Sequence, residues 1–235
     1  MTRKLFWEDM YMKEFEAVVV SFSNSELILD STAFYPRSGG LVSDTGFVSG
    51  VRVQEVYYRG EDIVHRIEGE GDFVNGSAVR GTIDWERRYR IMRMHTATHI
   101  LSSVVNKESG ALITGNKVGP DVSHVDFSLE NFEREKLFHF VEETNKIISL
   151  NLEVKTYFLK REEAIKIPGV VKLAEAMPPN VSELRIVQIG DFDIQADGGV
   201  HVRNTKEIGR VSLLKMENKG KNNRRVYFTL ENITS

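Results

Sequence analysis

Over the first 83 residues the apolar positions fall in short runs rich in β-branched side chains, with no useful stretch at helical spacing. Phe15–Phe22 (FEAVVVSF) and Glu26–Asp30 (ELILD) read as strands separated by the turn-prone Ser23-Asn24-Ser25. Phe47–Tyr58, Asp62–Ile67 and Ser77–Ile83 read the same way, punctuated by Gly50, Gly60, Gly69, Gly71 and Gly76. Strands at such short spacing predict a small barrel or sandwich. The pattern changes at Asp84. From there to about Lys107 no Gly or Pro interrupts a helical pattern, and Asp84 is placed to cap its start. A second helix is predicted from about Asn131 to Ser149, with Phe132, Phe138, Val141 and Ile148 among its apolar positions. Strands are predicted at Ala111–Val118, Val122–Phe127, Leu152–Leu159, Leu184–Ile194, Val211–Met216 and Val226–Leu230. Strands mixed with two long helices, without regular alternation, favour an α+β fold over a doubly wound sheet. The expected division is a β-rich domain over residues 1–84 and an α+β domain over 85–235.

Composition narrows the function. With 235 residues, 41% apolar and 28% charged, the chain can bury a sizeable core, and disordered or collagen-like readings fall away. Lys and Arg total 31 against 34 Asp and Glu, so any contact with a polyanion has to come from a local patch. The absence of cysteine removes disulfides, thiolate ligands and a thiol nucleophile. Charges break every apolar run near the start, and neither a signal peptide nor a membrane span is read. The expectation is an intracellular, cytoplasmic protein.

Three segments could carry chemistry. On the first predicted helix, His95 and His99 stand about 40° apart around the axis and share a face. Met94, Ala97, Ile100, Leu101, Val104 and Val105 form an apolar stripe elsewhere, which leaves the histidines off the stripe beside Thr96, Ser102 and Ser103. Two neutral imidazoles one turn apart can reach one metal ion; a surface pair or hydrogen-bonded core histidines are the alternative. The second segment is Asp193-Ile194-Gln195-Ala196-Asp197-Gly198-Gly199-Val200-His201. Its Gly-Gly pair reads as a tight turn at positive φ that would turn Asp197 and His201 toward a common site, or simply as a turn. Carboxylate and imidazole are both competent zinc ligands. The third is basic: Lys215 to Arg225 carries a local excess in a Gly/Asn-rich hairpin, and Arg87, Arg88, Arg90 and Arg93 add a second cluster. Either could grip phosphates or be a solvated face.

Several motifs in order resemble one family. Ile83-Asp84-Trp85-Glu86-Arg87-Arg88-Tyr89-Arg90 running into His95-Thr96-Ala97-Thr98-His99 is similar to the AlaX family, free-standing alanyl-tRNA editing proteins related to the editing domain of alanyl-tRNA synthetase. Gly115-Asn116-Lys117-Val118, Val125-Asp126-Phe127, Asp193-Ile194-Gln195, Gly198-Gly199-Val200-His201-Val202, Asn204 to Gly209 and Glu217-Asn218-Lys219-Gly220-Lys221 with Arg224-Arg225 continue the match. Asp30 to Pro36 with Gly39-Gly40 and Asp44-Thr45-Gly46 resembles the family's glycine-rich motif, from which Arg37-Ser38 and Leu41-Val42 depart.

The resemblance implies the medium-length form: a β-barrel-like N-terminal domain, then an α+β editing domain with a mostly antiparallel sheet and long helices. It implies one zinc ion held by two His of the helix and by a Cys and a His of the loop. His95, His99 and His201 match; Asp197 stands where the family has Cys, and Val200 where it has Thr. A carboxylate can complete the site but is a harder ligand, so altered affinity and wider access to other divalent ions are expected. The implied reaction is metal-dependent hydrolysis of seryl- or glycyl-tRNA(Ala), neighbours that a hydrophobic pocket separates only about 10 to 200-fold. Thr96 is the candidate for contacting the serine hydroxyl, with Gln195 and Asp193 orienting substrate. Lys219, Lys221, Arg224 and Arg225 are expected on the phosphates of the tRNA(Ala) acceptor end, with neither a membrane nor DNA as partner. A silent tRNA-binding module and a hydrolase for seryl-tRNA(Thr) are the alternatives. A zinc peptidase is disfavoured, because no glutamate follows His95 to act as base.

Overall fold

The computed structural model describes residues 1–130, 133–168, 170 and 181–231. They form an α+β fold of mostly antiparallel sheets with few helices, in two compact units, Met1–Met92 and Arg93–Ser235. The division falls inside a helix, beyond the change of pattern at Asp84. Among the described residues no helix is long and apolar enough to cross a membrane.

In the first unit, β1 (Arg3–Lys4) leads into a single helical turn, α1 (Leu5–Glu8), and pairs in parallel with β4 (Ser31–Thr32). The remaining strands are β2 (Glu14–Ser23), β3 (Glu26–Leu29), β5 (Gly46–Val48), β6 (Val51–Arg59), β7 (Asp62–Ile67) and β8 (Ala78–Ile83). They pair in the order β2-β3-β7-β6-β5-β8, and β8 returns to β2 to close a barrel. Strand β2 shows why: Phe15, Ala17 and Val19 point inward, while Glu14, Glu16 and Val18 face out, the two-residue period of a half-buried strand. The predicted strand Phe47–Tyr58 is two strands. Ser49 (φ 46°) and Gly50 (φ 83°) form a two-residue turn between β5 and β6, the backbone that matches strand twist in a tight hairpin.

Helix α2 (Trp85–Ser109) begins where Asp84 Oδ1 accepts the Arg87 amide, as its capping position requires. One turn in, Arg88 is fully buried. Its Nε lies 2.9 Å from both carboxylate oxygens of Asp44, its Nη1 donates to the Met10 carbonyl at 3.0 Å, and its Nη2 to the Ala33 carbonyl at 2.6 Å. Asp44 in turn accepts the Tyr35 amide at 2.6 Å. Arg88 therefore ties three backbone segments of the first unit together.

In the second unit, β9 (Ile113–Lys117) and β10 (Ser123–Phe127) join β14 (Val211–Asn218) and β15 (Arg224–Leu230) in an antiparallel sheet ordered β14-β15-β10-β9. Helix α3 (Arg134–Ser149) buries Leu137, Phe140, Val141, Thr144 and Ile148, a helical stripe. Phe138, predicted apolar, is 47% exposed on its other side, and the expected start with Phe132 lies outside the described residues. Asn145 of α3 closes the edge of β14 by donating to the Val211 carbonyl at 3.0 Å and accepting its amide at 2.8 Å. A second sheet, β11-β12-β13, comprises β11 (Val154–Lys160), β12 (Glu183–Ile189) and β13 (Asp193–Ala196), with a short α4 (Arg161–Ala164) after β11. The predicted strand Leu184–Ile194 is thus the hairpin β12–β13, turned at Gly190 (φ 47°).

Breaking a buried ion pair by removing one partner strands the other charge at a cost of about 3–5 kcal/mol. Asp44→Ala should therefore lower the unfolding free energy by about that amount, measured from the denaturant midpoint at unchanged slope. A loss under about 1 kcal/mol would show that Arg88 does not organise this unit.

Candidate metal centre

Helix α2 was expected to keep its polar side off the core. Instead His95, Thr96, Thr98, His99, Ser102 and Ser103 are all buried along with the apolar stripe. Strand β13 covers them. Its alternate residues Asp193 and Gln195, with Asp197 just beyond, face α2. Along a helix, residues four apart rise about 6 Å; along a strand, residues two apart advance about 6.8 Å. Two nearly equal periods thus run side by side. His95 and His99 meet Asp197, and His99 and Ser103 meet Asp193.

The cluster itself is His95, His99, Asp197 and His201, whose potential ligand atoms all lie within 4.8 Å of one another. Asp197 Oδ2 is 3.8 Å from Nε2 of both His95 and His99, and Asp197 Oδ1 is 3.2 Å from His201 Nε2. A tetrahedral ion with ligands at 2.0–2.1 Å sets its donors about 3.3 Å apart, so this set fits one cation with small adjustments. Hydrogen bonds on the far side of the rings also fit. His95 Nδ1 faces the Val200 carbonyl at 3.2 Å, and His201 Nδ1 faces Thr96 Oγ1 at 3.1 Å. With those protons on Nδ1, each ring turns a lone pair on Nε2 into the cluster. Among the described residues, His99 Nδ1 faces Asp193 Oδ2 at 3.7 Å, a charge contact rather than a hydrogen bond. The imidazoles are 2%, 7% and 0% exposed and Asp197 is 23% exposed, so solvent reaches the cluster from the Asp197 side.

Three close imidazoles cannot all carry a proton. Burial, followed by the neighbouring His201, drives His95 well below its ordinary value. Burial likewise brings His201 down to about 4, against the pull of Asp197. For His99 burial acts the same way, but the carboxylates of Asp193 and Asp197 outweigh it and lift the ring to about 9. Burial also opposes the charge on Asp197, yet His95, His201 and His99 hold its carboxyl well below the usual range. The site is built for one positive charge among neutral imidazoles and a carboxylate.

The loop that carries Asp197 and His201 is held by Arg185, which is 5% exposed. Its Nη1 donates to the carbonyls of Asp197 and Gly199, each at 2.9 Å. Neither Gly198 nor Gly199 adopts the expected positive φ. Glycine at 199 meets a different constraint: a Cβ there would lie 2.4 Å from His95 Cε1 and 2.9 Å from Asp197 Oδ1. The absence of a side chain lets the loop close onto the imidazole.

Other candidate residues have definite places. Thr96 is fully buried, with its hydroxyl between His201 Nδ1 and the Val202 amide, which donates to it at 3.3 Å. Asp193 accepts from Ser103 Oγ and from Gln195 Nε2, the latter at 2.9 Å. Gln195 also lines a small cleft with Ser102, Ser103, Asn106, Ala111, Leu112 and Ile113. Ser102 Oγ is buried there without a hydrogen-bond partner among the described residues. Of the basic residues, Arg225 makes a two-pronged pair with Asp126 at 2.7 and 2.8 Å. Arg224 pins its own hairpin through Asn218 Oδ1 and the Gly220 and Asn223 carbonyls. Lys219 pairs with Glu217 at 3.0 Å, while Lys221 is exposed. In the earlier arginine cluster, Arg88 is the buried partner of Asp44 and Arg93 donates to the Ile208 carbonyl. Those two cations serve the fold. Sequence reasoning missed Arg185, although a cation inside the apolar run Leu184–Ile189 was its signal.

The profile described as "Threonyl and Alanyl tRNA synthetase second additional domain" matches residues 184–227, and that of "tRNA synthetases class II (A)" matches 5–87. Alanyl-tRNA editing protein AlaX-M of Saccharolobus solfataricus is 49% identical over 98% of this chain and all of its own length. AlaX-M of Methanosarcina barkeri is 46% identical over 98% of this chain and 99% of its own. Alanine–tRNA ligase of Ignicoccus hospitalis is 36% identical over 91% of this chain and 24% of the ligase.

Gly199→Ala should displace His95 or the loop, since the added carbon falls well inside contact distance. The expected result is folded protein whose zinc affinity, measured by calorimetry, has dropped by a factor of ten or more. Unchanged affinity would mean that the loop and the imidazole need not close together.

Proposed function

We propose, since this chain belongs to the AlaX-M family of alanyl-tRNA editing proteins, that it is a trans-editing hydrolase. Its substrate is mischarged tRNA(Ala), carrying serine or glycine, and it acts in the cytoplasm. The observation that carries the reading is the cluster His95, His99, Asp197 and His201, buried on three sides and able to hold a divalent cation. Zinc suits the three-nitrogen, one-oxygen donor set, and the carboxylate leaves it open to other divalent ions.

Hydrolysis adds water to the ester carbonyl and breaks its bond to the terminal ribose oxygen. A cation bound here supplies Lewis-acid polarisation of the carbonyl or of the attacking water. The chain's own residues do the positioning. The Val200 carbonyl and Thr96 hydroxyl fix the tautomers of His95 and His201, Asp193 faces His99 with Ser103 and Gln195 holding it, and Arg185 fixes the loop. Asp193 and Gln195 thus act through His99 as positioning residues. Substrate enters past Asp197, the exposed edge. Among the loop cations, exposed Lys221 meets acceptor-end phosphates, and Lys219 joins it on exchanging Glu217 for phosphate.

Because the Thr96 hydroxyl is engaged with His201 and Val202, recognition of a seryl hydroxyl passes to Ser102, whose buried Oγ lines the cleft beside Gln195. A hydrogen bond of this kind contributes about 1 kcal/mol. Ser102→Ala should therefore slow hydrolysis of seryl-tRNA(Ala) by roughly five- to tenfold while sparing glycyl-tRNA(Ala). Thr96→Val should slow both together. Equal losses on the two substrates in Ser102→Ala would remove its hydroxyl contact, and a loss confined to seryl-tRNA(Ala) in Thr96→Val would return that contact to Thr96.

The deciding experiment is deacylation of seryl-tRNA(Ala), with and without chelator. Chelator-sensitive hydrolysis that spares alanyl-tRNA(Ala) is the expected outcome. Turnover of seryl-tRNA(Thr) instead would reassign the substrate, and tRNA binding without any turnover would make the chain a silent module.

A further inference from the structure

The solvent face of the sheet β14-β15-β10-β9 carries a row of side chains apart from the metal cluster, two of which, Lys215 and Tyr227, contact Glu217. In the observed register Lys215 stands opposite Tyr227, Tyr227 opposite His124, and His124 opposite Lys117. Residues directly opposite one another share a face, so these four form one line across all four strands, about 14 Å long. The opposite face of β10 and β15 is core, with Val125, Phe127, Val226 and Phe228 fully buried.

The line is polar, cationic and aromatic. The His124 and Tyr227 rings are 5.3 Å apart, and Lys215 Nζ lies 4.5 Å from the Tyr227 ring centre. The neighbouring row sets Arg225 against Asp126 and brings in Glu217, which lies between Lys215 and Lys219. Four cations against two carboxylates leave this face positive in a chain whose formal net charge is −3. The field shows at His124: burial first, then Arg225, Lys117 and Lys219, lower its ring below the ordinary value, against the opposing pull of Asp126. The hairpin 219–223 stands beside the row, tied to β9 where Thr114 Oγ1 donates to Asn223 Oδ1 at 3.0 Å. Lysines flanking two adjacent rings on an open antiparallel sheet are the chemistry that holds an RNA strand, with cations for phosphates and rings for bases.

We infer that this sheet face, through Lys117, His124, Lys215 and Tyr227, is the surface on which the RNA substrate lies. The inference rests on the proposed editing reading and moves the principal RNA contact from the basic hairpin to the sheet beside it.

The test is the salt dependence of binding of an RNA hairpin carrying the tRNA(Ala) acceptor stem. Lys117→Ala/Lys215→Ala should bind more weakly, and its plot of log affinity against log salt should be shallower by roughly 1.4–1.8, two phosphate contacts at about 0.7–0.9 each. Lys155→Ala, an exposed lysine on β11, should change neither. In wild-type protein the His124 ring should shift toward the protonated form as RNA is added, read by its NMR resonances. The double variant's zinc uptake, measured alongside, certifies its fold. A variant slope equal to wild type, with wild-type protein still hydrolysing seryl-tRNA(Ala), would overturn the surface and leave the editing reading standing. Wild-type protein that neither binds the hairpin nor hydrolyses the ester would remove both. A DNA hairpin bound equally well, with the same loss in the variant, would reduce the face to a general polyanion surface and overturn its role in selecting RNA.

Discussion

The polar side of α2 is buried, and His95, Thr96, His99 and Ser103 on it are answered from across the gap. Strand β13 supplies the answer, because a helix read every fourth residue and a strand read every second one advance by almost the same distance. Two imidazoles and a serine face two carboxylates and an amide, in alternation. Polar groups buried at such density are tolerable only when paired, so the arrangement is held in place as a unit. The metal cluster is the end of this ladder where the loop after β13 folds back to add His201.

Charge settles what the cluster can hold. Carboxylates at Asp193 and Asp197 favour one positive charge, and burial with mutual repulsion keeps it from spreading over all three rings. The two carboxylates draw that charge toward His99, whose ring they hold above its ordinary value. A divalent cation held here would satisfy the same demand with more donors, and its binding would then be coupled to tightening of the loop. Arg185 belongs to the same balance. It brings a buried positive charge close to His201, yet its Nη1 donates to two loop carbonyls and so fixes backbone.

Much of this was legible in the residues. The strand runs of the first unit and the start of α2 at Asp84 follow from short-range patterns that act within a few residues, whereas the four members of the cluster were joined into one set by the ordered motifs of the family resemblance. What escaped was set by partners distant in sequence. The burial of the histidine side could not be read, because its cover comes from a strand about a hundred residues away. Arg88 and Arg225 count as basic by composition, but each is matched by a carboxylate whose place depends on tertiary pairing. The Gly-Gly pair carried the right signal with the wrong reason. A local reading invokes positive φ, whereas Gly199 is needed for the approach of His95. The hairpin inside Leu184–Ile194 was hidden by an unbroken strand-like pattern on both sides of Gly190.

The paired spacing of α2 and β13 also bears on how this chain can change in length over evolution. Adding or removing one residue between His95 and Ser103 would turn the later side chains about 100° around the helix, and the same change between Asp193 and Asp197 would flip the strand's faces. Neither error can be repaired locally, since the partner keeps its own period. Length variation among descendants of this chain is therefore confined to connections outside the ladder, such as the hairpin at 219–223. The segments 95–103 and 193–201 must be inherited at fixed length.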